Sequence, residues 1–196
     1  LPERPTLVVM VKAPVAGRVK TRLGREIGMV SAAWWFRHQV ARLLRRIRDP
    51  RWRIVLAVSP DLHAHHTRLW PADLARVPQG PGDLGRRMAR AMSGVPTAPV
   101  CVIGADIPGI TRARVARAFA ALGGHDAVFG PAEDGGYWLV GLRRGALAHP
   151  DMFAGVRWSG EHALADSLRC LSGRRVALVD RLRDVDTLDD LRATKR

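Results

Sequence analysis

Lysine is scarce in this chain of 196 residues: it occurs three times, at Lys12, Lys20 and Lys195, and arginine supplies the rest of the 32 basic residues. Cysteine occurs only twice, at Cys101 and Cys170. Cys101 sits inside the apolar run Pro99-Val100-Cys101-Val102-Ile103, so it reads as a small core residue. Two such cysteines exclude a disulfide framework and imply a reducing, cytoplasmic setting. No apolar stretch approaches the ~18 residues of a membrane helix, so no membrane span is expected. The N-terminal apolar run is too short for a signal-peptide core, and Lys12 ends it. The basic loop that follows the apolar run Leu7–Val11 carries neither the Walker pattern G-x-x-x-x-G-K-[ST] nor the dinucleotide pattern G-x-G-x-x-G, so neither a P-loop NTPase nor a dinucleotide-binding fold is the first choice. No G-x-S-x-G supports a serine hydrolase, and neither a zinc-finger spacing nor a ribonucleoprotein motif is present.

The composition is that of a globular protein. At 47% hydrophobic residues, one domain spanning 1–196 with a substantial core is the default expectation. The net charge of +14 admits a nucleic-acid partner. Arginine spread over solvated helix faces, as in Arg42, Arg45, Arg46, Arg48 and in Arg86, Arg87, Arg90, is the favoured explanation, so nucleic acid is not expected. The same field would steer an anionic small substrate.

Apolar runs alternate with amphipathic stretches. Strands are expected at 6–12, 52–58, 99–104, 126–129, 137–142 and 176–179. Helices are expected at 19–48 with a break near Gly28, at 83–93, from a Thr111 cap to about Leu122, over 160–172 with Ser159 as a possible cap, and at 187–193. Such alternation predicts a three-layer α/β domain with a mostly parallel sheet. In such sheets ligands bind beyond the carboxyl ends of the strands. Lys12, Asp106 and Glu133-Asp134 all follow strand-like runs.

Two of the three lysines fall in one loop, Lys12-Ala13-Pro14-Val15-Ala16-Gly17-Arg18-Val19-Lys20-Thr21-Arg22-Leu23. A lysine ammonium grips phosphate as a mobile point charge, whereas arginine grips it as a planar fork. A buried strand that runs into a basic Gly/Pro loop and then a helix is the layout of a nucleotide-phosphate site; a basic surface turn is the plainer alternative. Gly17 would let the backbone turn near a phosphate, with Arg18, Lys20 and Arg22 neutralising it. Ile103-Gly104-Ala105-Asp106-Ile107-Pro108 places an acid at the tip of a strand, suited to Mg²⁺ or to a turn. Gly130-Pro131-Ala132-Glu133-Asp134-Gly135-Gly136-Tyr137 reads as a binding loop or a hairpin turn, and both can hold together. Asp186 in Asp184-Val185-Asp186-Thr187 is either a second metal carboxylate or a helix cap. His63, His65 and His66 lie in a polar stretch without a partner motif and read as surface histidines. Trp34-Trp35-Phe36 reads as core or subunit contact.

Together these motifs, with Gln79-Gly80…Gly82-Asp83-Leu84-Gly85-Arg86-Arg87-Met88 and Trp158-Ser159, resemble the radical-SAM/selenodomain-associated transferase family. The match runs from about residue 6 to 191. That family belongs to the glycosyltransferase-A-type (nucleotide-diphospho-sugar transferase) superfamily and is similar to 2-phospholactate guanylyltransferase. The resemblance implies a Rossmann-like α/β/α sandwich that binds a nucleotide with Mg²⁺ or Mn²⁺. It gives nucleotide-binding roles to Lys12, Pro14, Gly17, Arg18, Lys20, Thr21 and Arg22, and places Gln79, Gly80 and Gly82 near the base. Glu133, Asp134, Gly135, Gly136 and Tyr137 would meet the acceptor. Asp106, with Asp186, would hold the metal, and Lys20, Arg22 and Asp106 would be catalytic. The chain departs from the superfamily's opening Gly-Gly-rich signature, having Pro14 and Gly17 instead. The expected reaction is metal-dependent nucleotidyl transfer from a nucleoside triphosphate to a small phosphorylated or sugar-like acceptor. Glycosyl transfer from a nucleotide-sugar is the near alternative, and a basic nucleic-acid- or protein-binding module without catalysis is the distant one.

Overall fold

The computed structural model describes residues 4–65, 68–95 and 97–183. β1 (Thr6–Lys12) is apolar on both faces because it is central in the sheet: Leu7, Val9 and Val11 join one buried cluster, while Val8 points into another. β2 (Arg53–Ser59) and β4 (Val100–Gly104) flank it in parallel. The remaining strands are β3 (Ala75–Pro78), β5 (Ala127–Pro131), β6 (Tyr137–Leu142) and β7 (Val176–Leu178), in the order β3-β2-β1-β4-β6-β5-β7. The sheet is mostly parallel. β6 alone is reversed, antiparallel to both β4 and β5, because the tight Gly-rich connection from β5 turns the chain straight back.

The helices cover both faces. α1 (Thr21–Ile27) and α2 (Met29–Arg46) are separate, with Gly28 between them at φ 92°. Phe36, Val40, Leu43 and Leu44 repeat at helical spacing, so α2 lays one stripe on the cluster that contains Leu7 and Val9. α4 (Arg112–Ala121) packs on the same face through Val115 and Ala118, and its Thr111 cap accepts the Arg114 N–H. α3 (Leu84–Ser93) and α5 (Ala163–Cys170) cover the opposite face through Met88, Met92 and Ala163. The result is the three-layer α/β/α sandwich expected of the alternating pattern.

Two expectations change. The chain forms an edge strand, β3, where only a loop was expected. Its four residues are mostly exposed and carry no apolar run to betray them. The helix expected over 160–172 shrinks to α5, and Ser159 does not cap it: His162 holds that position, while Ser159 lies outside at φ 64°. The helix expected at 187–193 lies outside the described residues. No described helix is long and apolar enough to cross a membrane.

Two packing features make the fold sensitive to small changes. A Cβ on Gly130 would lie only 2.4 Å from the indole of Trp138, which is 1% exposed and donates through Nε1 to the Asp180 carbonyl at 2.7 Å. Gly130→Ala should therefore cost about 1–3 kcal/mol through overpacking, read as a lowered midpoint in urea unfolding. Asp166 is buried and accepts from the Arg157 backbone N–H at 3.0 Å and the Arg157 guanidinium at 2.9 and 3.0 Å, with Arg169 alongside. These hydrogen bonds, the Arg157 guanidinium first, hold its carboxyl well below the usual carboxylate range. A carboxyl depressed on folding stabilises above its unfolded pKa of about 3.9, and that stabilisation fades as pH falls toward the folded value. Asp166→Asn should lower the melting temperature at pH 7, and the gap to wild type should narrow below about pH 4.

Candidate active site

From β1 the chain builds outward to β2 and β3, then returns to place β4 on the other side of β1. This reversal splits the crossovers between the two faces and opens a crevice at the carboxyl ends of β1 and β4. A cleft of about 650 Å³ lies there. Its walls come from opposite layers of the sandwich: the loop after β1 and the start of α1 on one side, and α3 with the approach to α5 on the other.

The basic wall begins where β1 ends. The Ala13 N–H donates to the Ser59 carbonyl at 2.8 Å, tying the loop to the end of β2. Gly17, at φ 76°, turns the chain, and Arg18 N–H closes onto the Val15 carbonyl at 3.0 Å. Lys20 then enters α1 in the left-handed region, at φ 44° and ψ 48°. Its side chain is only 5% exposed, and its Nζ lies 3.2 Å from Asp106 Oδ2. Lys12, Arg18, Lys20, Thr21 and Arg22 all line the cleft. Pro14 and Gly17 do not; they shape the loop from behind. Asp106, two residues beyond β4, faces the same space with its carboxylate 40% exposed.

Gln79 also lines the cleft, and its side chain has a structural duty as well. The amide Nε2 donates to the Ala57 carbonyl at 2.9 Å and the Val11 carbonyl at 3.3 Å, bracing the ends of β2 and β1. Gly80 and Gly82 stand back from the cleft. Their loop is pinned by Arg90, whose Nη1 donates to the carbonyls of Gln79 and Pro81 at 2.8 and 3.0 Å.

In the acidic loop, Asp134, Gly136 and Tyr137 line the cleft, whereas Glu133 and Gly135 do not. Gly135, at φ 85°, would carry a Cβ 2.3 Å from the Glu161 carbonyl oxygen, so only glycine lets the loop press against that segment. Asp134 Oδ1 accepts the Gly136 N–H at 2.9 Å, which sets the turn. Tyr137 meets Phe129 and Trp158 edge-on, with centroids at 4.9 and 6.4 Å. Burial pushes its phenol up, so it stays neutral and interacts with the Ser167 hydroxyl at 3.3 Å.

The structure adds residues that sequence reasoning left out of the site. Arg87 lines the cleft from α3, held by its Nε–H to the Gly82 carbonyl at 2.9 Å. It sits with Leu84 and Met88 at one-turn spacing, a stripe that could have marked it. Phe36, Trp158 and Ser159 also line the cleft. Among the described residues, Lys20 and Ser159 are the two non-glycine residues with positive φ, and both face this space. Such backbone strain concentrates at functional sites.

Of the other expectations, Asp186 and His66 lie outside the described residues. Among the described residues no group of three or more His, Cys, Asp or Glu side chains could hold a metal by itself. His63 and His65 fall in a short 3₁₀ segment away from the cleft. The tryptophan stretch divides: Trp34 is 58% exposed and stacks on His38, while Phe36 is buried. The donor set suits a hard cation that takes one carboxylate from the protein and other oxygens from a phosphate ligand, since Mg²⁺ is commonly held that way.

Comparison with known proteins agrees with this architecture. A protein from Desulfovibrio desulfuricans G20, provisionally named a nucleotide-diphospho-sugar transferase, is 32% identical over 98% of this chain and 86% of its own, with a TM-score of 0.87. CMP:2-keto-3-deoxy-manno-octonic acid synthetase, solved with CTP, shares the fold at 12% identity, 98% and 97% coverage and a TM-score of 0.58. So does Rv0371C of Mycobacterium tuberculosis H37Rv, solved with manganese, at 18% identity, 97% coverage of each chain and a TM-score of 0.57. No curated protein matches the chain. Residues 43–160 match a family model described as an uncharacterized protein conserved in bacteria (DUF2064), and the chain belongs to that family.

Proposed function

We propose that this chain, acting as one transferase domain, moves a nucleotide-borne group, and that the transfer is metal-dependent nucleotidyl transfer from a nucleoside triphosphate. The observation that carries this reading is the convergence of Lys12, Arg18, Lys20 and Arg22 with Asp106 on one cleft at the strand ends. Four cations in one wall suit a triphosphate better than a less charged ligand. The names of the similar structures, a nucleotide-diphospho-sugar transferase and a synthetase solved with CTP, support a nucleotide ligand. The manganese of a third supports a divalent cation.

In this reading Asp106 would hold Mg²⁺ or Mn²⁺. The ion would supply charge neutralisation on the phosphates and on the departing pyrophosphate. Lys20 and Arg22 bind the polyphosphate and stabilise the charge that develops on it. Lys12 and Arg18 add cations at the mouth of the loop. Gln79 braces the strand ends, and Gly80 and Gly82 shape the neighbouring loop. Asp134, Gly136 and Tyr137 form the part of the cleft left for a small acceptor, and Glu133 and Gly135 set that loop from outside. The acceptor oxygen attacks the α-phosphorus in line; the bond to the β-phosphate oxygen breaks and pyrophosphate leaves.

Glycosyl transfer from a nucleotide-sugar is the second reading, favoured by the name of the 32%-identical relative. The leaving group separates the two: pyrophosphate in the first, a nucleoside diphosphate in the second. A thermal-shift panel of nucleoside triphosphates and nucleotide-sugars, each with and without Mg²⁺, should give its largest rise for a triphosphate with metal, because a ligand of the native state raises the melting temperature by mass action. No rise with any nucleotide, together with steep salt-dependent binding of DNA or RNA, would favour a nucleic-acid-binding module instead. Asp106→Ala should remove the Mg²⁺-dependent part of the rise. Lys20→Ala should weaken triphosphate by roughly 10–100-fold while leaving nucleoside binding nearly unchanged. Equal loss for both ligands would remove the phosphate role.

A further inference from the structure

The ammonium of Lys20 sits where a metal ion on Asp106 would need to be near. Its Nζ is 3.2 Å from Oδ2 of a carboxylate that is 40% exposed and lines the cleft, while the lysine side chain is 5% exposed. The lysine reaches this place from a left-handed backbone, a conformation costly for a residue with a Cβ. A cation held so close competes with any other cation for the same oxygens.

We propose that the cleft takes a divalent metal only as its chelate with a polyphosphate, because Lys20 covers Asp106 until phosphate draws the ammonium away. This rests on the nucleotide reading above. The charge balance explains the order. A free dication arriving at Asp106 would meet Lys20, with Lys12, Arg18 and Arg22 lining the same cleft and Asp134 as the other carboxylate there. It would take from the buried ammonium its carboxylate and add repulsion. A polyphosphate reverses both effects: its oxygens give Lys20 a new anionic partner and bring ligands to the metal. Asp106 is then released to the ion at the moment the ion has other oxygens to complete its shell. Metal and phosphate therefore bind with positive coupling, and coupling between two ligands is reciprocal. Lys20 acts as a positioning residue toward the metal and as a direct ligand of phosphate.

The test uses Mn²⁺ alone and inorganic tripolyphosphate, neither of which depends on the base. Mn²⁺ binding to the free protein is followed by electron paramagnetic resonance, and tripolyphosphate binding by thermal shift. Removing the ammonium in Lys20→Met should tighten Mn²⁺ alone by about tenfold, within the usual range of site coupling, and should weaken metal-free tripolyphosphate. Lys20→Gly, which also suits the left-handed backbone, should do the same and guards against misfolding of the first variant. Adding Asp106→Asn to either should abolish the gain. An unchanged Mn²⁺ affinity in both folded variants, with the wild-type response to tripolyphosphate intact, would overturn this inference alone. No wild-type response to tripolyphosphate would overturn the nucleotide reading on which it rests.

Discussion

The contact between the Lys20 ammonium and the Asp106 carboxylate joins two loops that leave neighbouring strands in the same direction. It exists because β1 and β4 lie side by side in parallel register, Thr6 opposite Val100 and Met10 opposite Gly104. Both loops therefore emerge at one edge, and whatever charge they carry must meet. The apolar content of β1 fixes its central place, the crossovers on opposite faces open the crevice beyond it, and the loops that follow β1 and β4 deliver opposite charges into that crevice. A shift in that pairing would separate the ammonium from the carboxylate.

The charge of +14 divides into two populations. Much of the arginine serves the scaffold. Arg143 donates to the carbonyls of Leu122, Gly123 and His125 beyond the end of α4, Arg117 forks onto Asp180, and Arg48 onto Asp73. A planar fork suits these fixed, two-point contacts. The two described lysines stand in the cleft wall, where a compact and mobile ammonium suits a ligand that comes and goes. The scarcity of lysine is thus informative about the site rather than about the fold.

Most of the frame was legible in the sequence, since long apolar runs and helical stripes need little context. The break at Gly28, the Thr111 cap and the α/β/α layering all follow from local chemistry. β3 was not legible, because an exposed four-residue edge strand exists only through its neighbour β2. Ser159 misled because a serine before a helical stretch reads as a cap; in the fold the helix starts later, and Ser159 takes a left-handed conformation at the cleft. The basic loop and Asp106 could be read because each follows a strand, and strand ends share a location. Arg87 and Trp158 could not be read that way. Arg87 carried only its one-turn spacing with Leu84 and Met88, and Trp158 reaches the cleft by packing against Gly85 of α3, a long-range contact with no local signature. The second carboxylate, Asp186, lies outside the described residues.

The central claim is that this cleft grips the phosphates of a nucleotide together with a metal. The most direct measurement is the affinity of a nucleoside mono-, di- and triphosphate series sharing one base, titrated calorimetrically with and without Mg²⁺. Affinity should rise with each phosphate, and Mg²⁺ should strengthen the triphosphate most. Equal affinity across the series, unmoved by Mg²⁺, would contradict it.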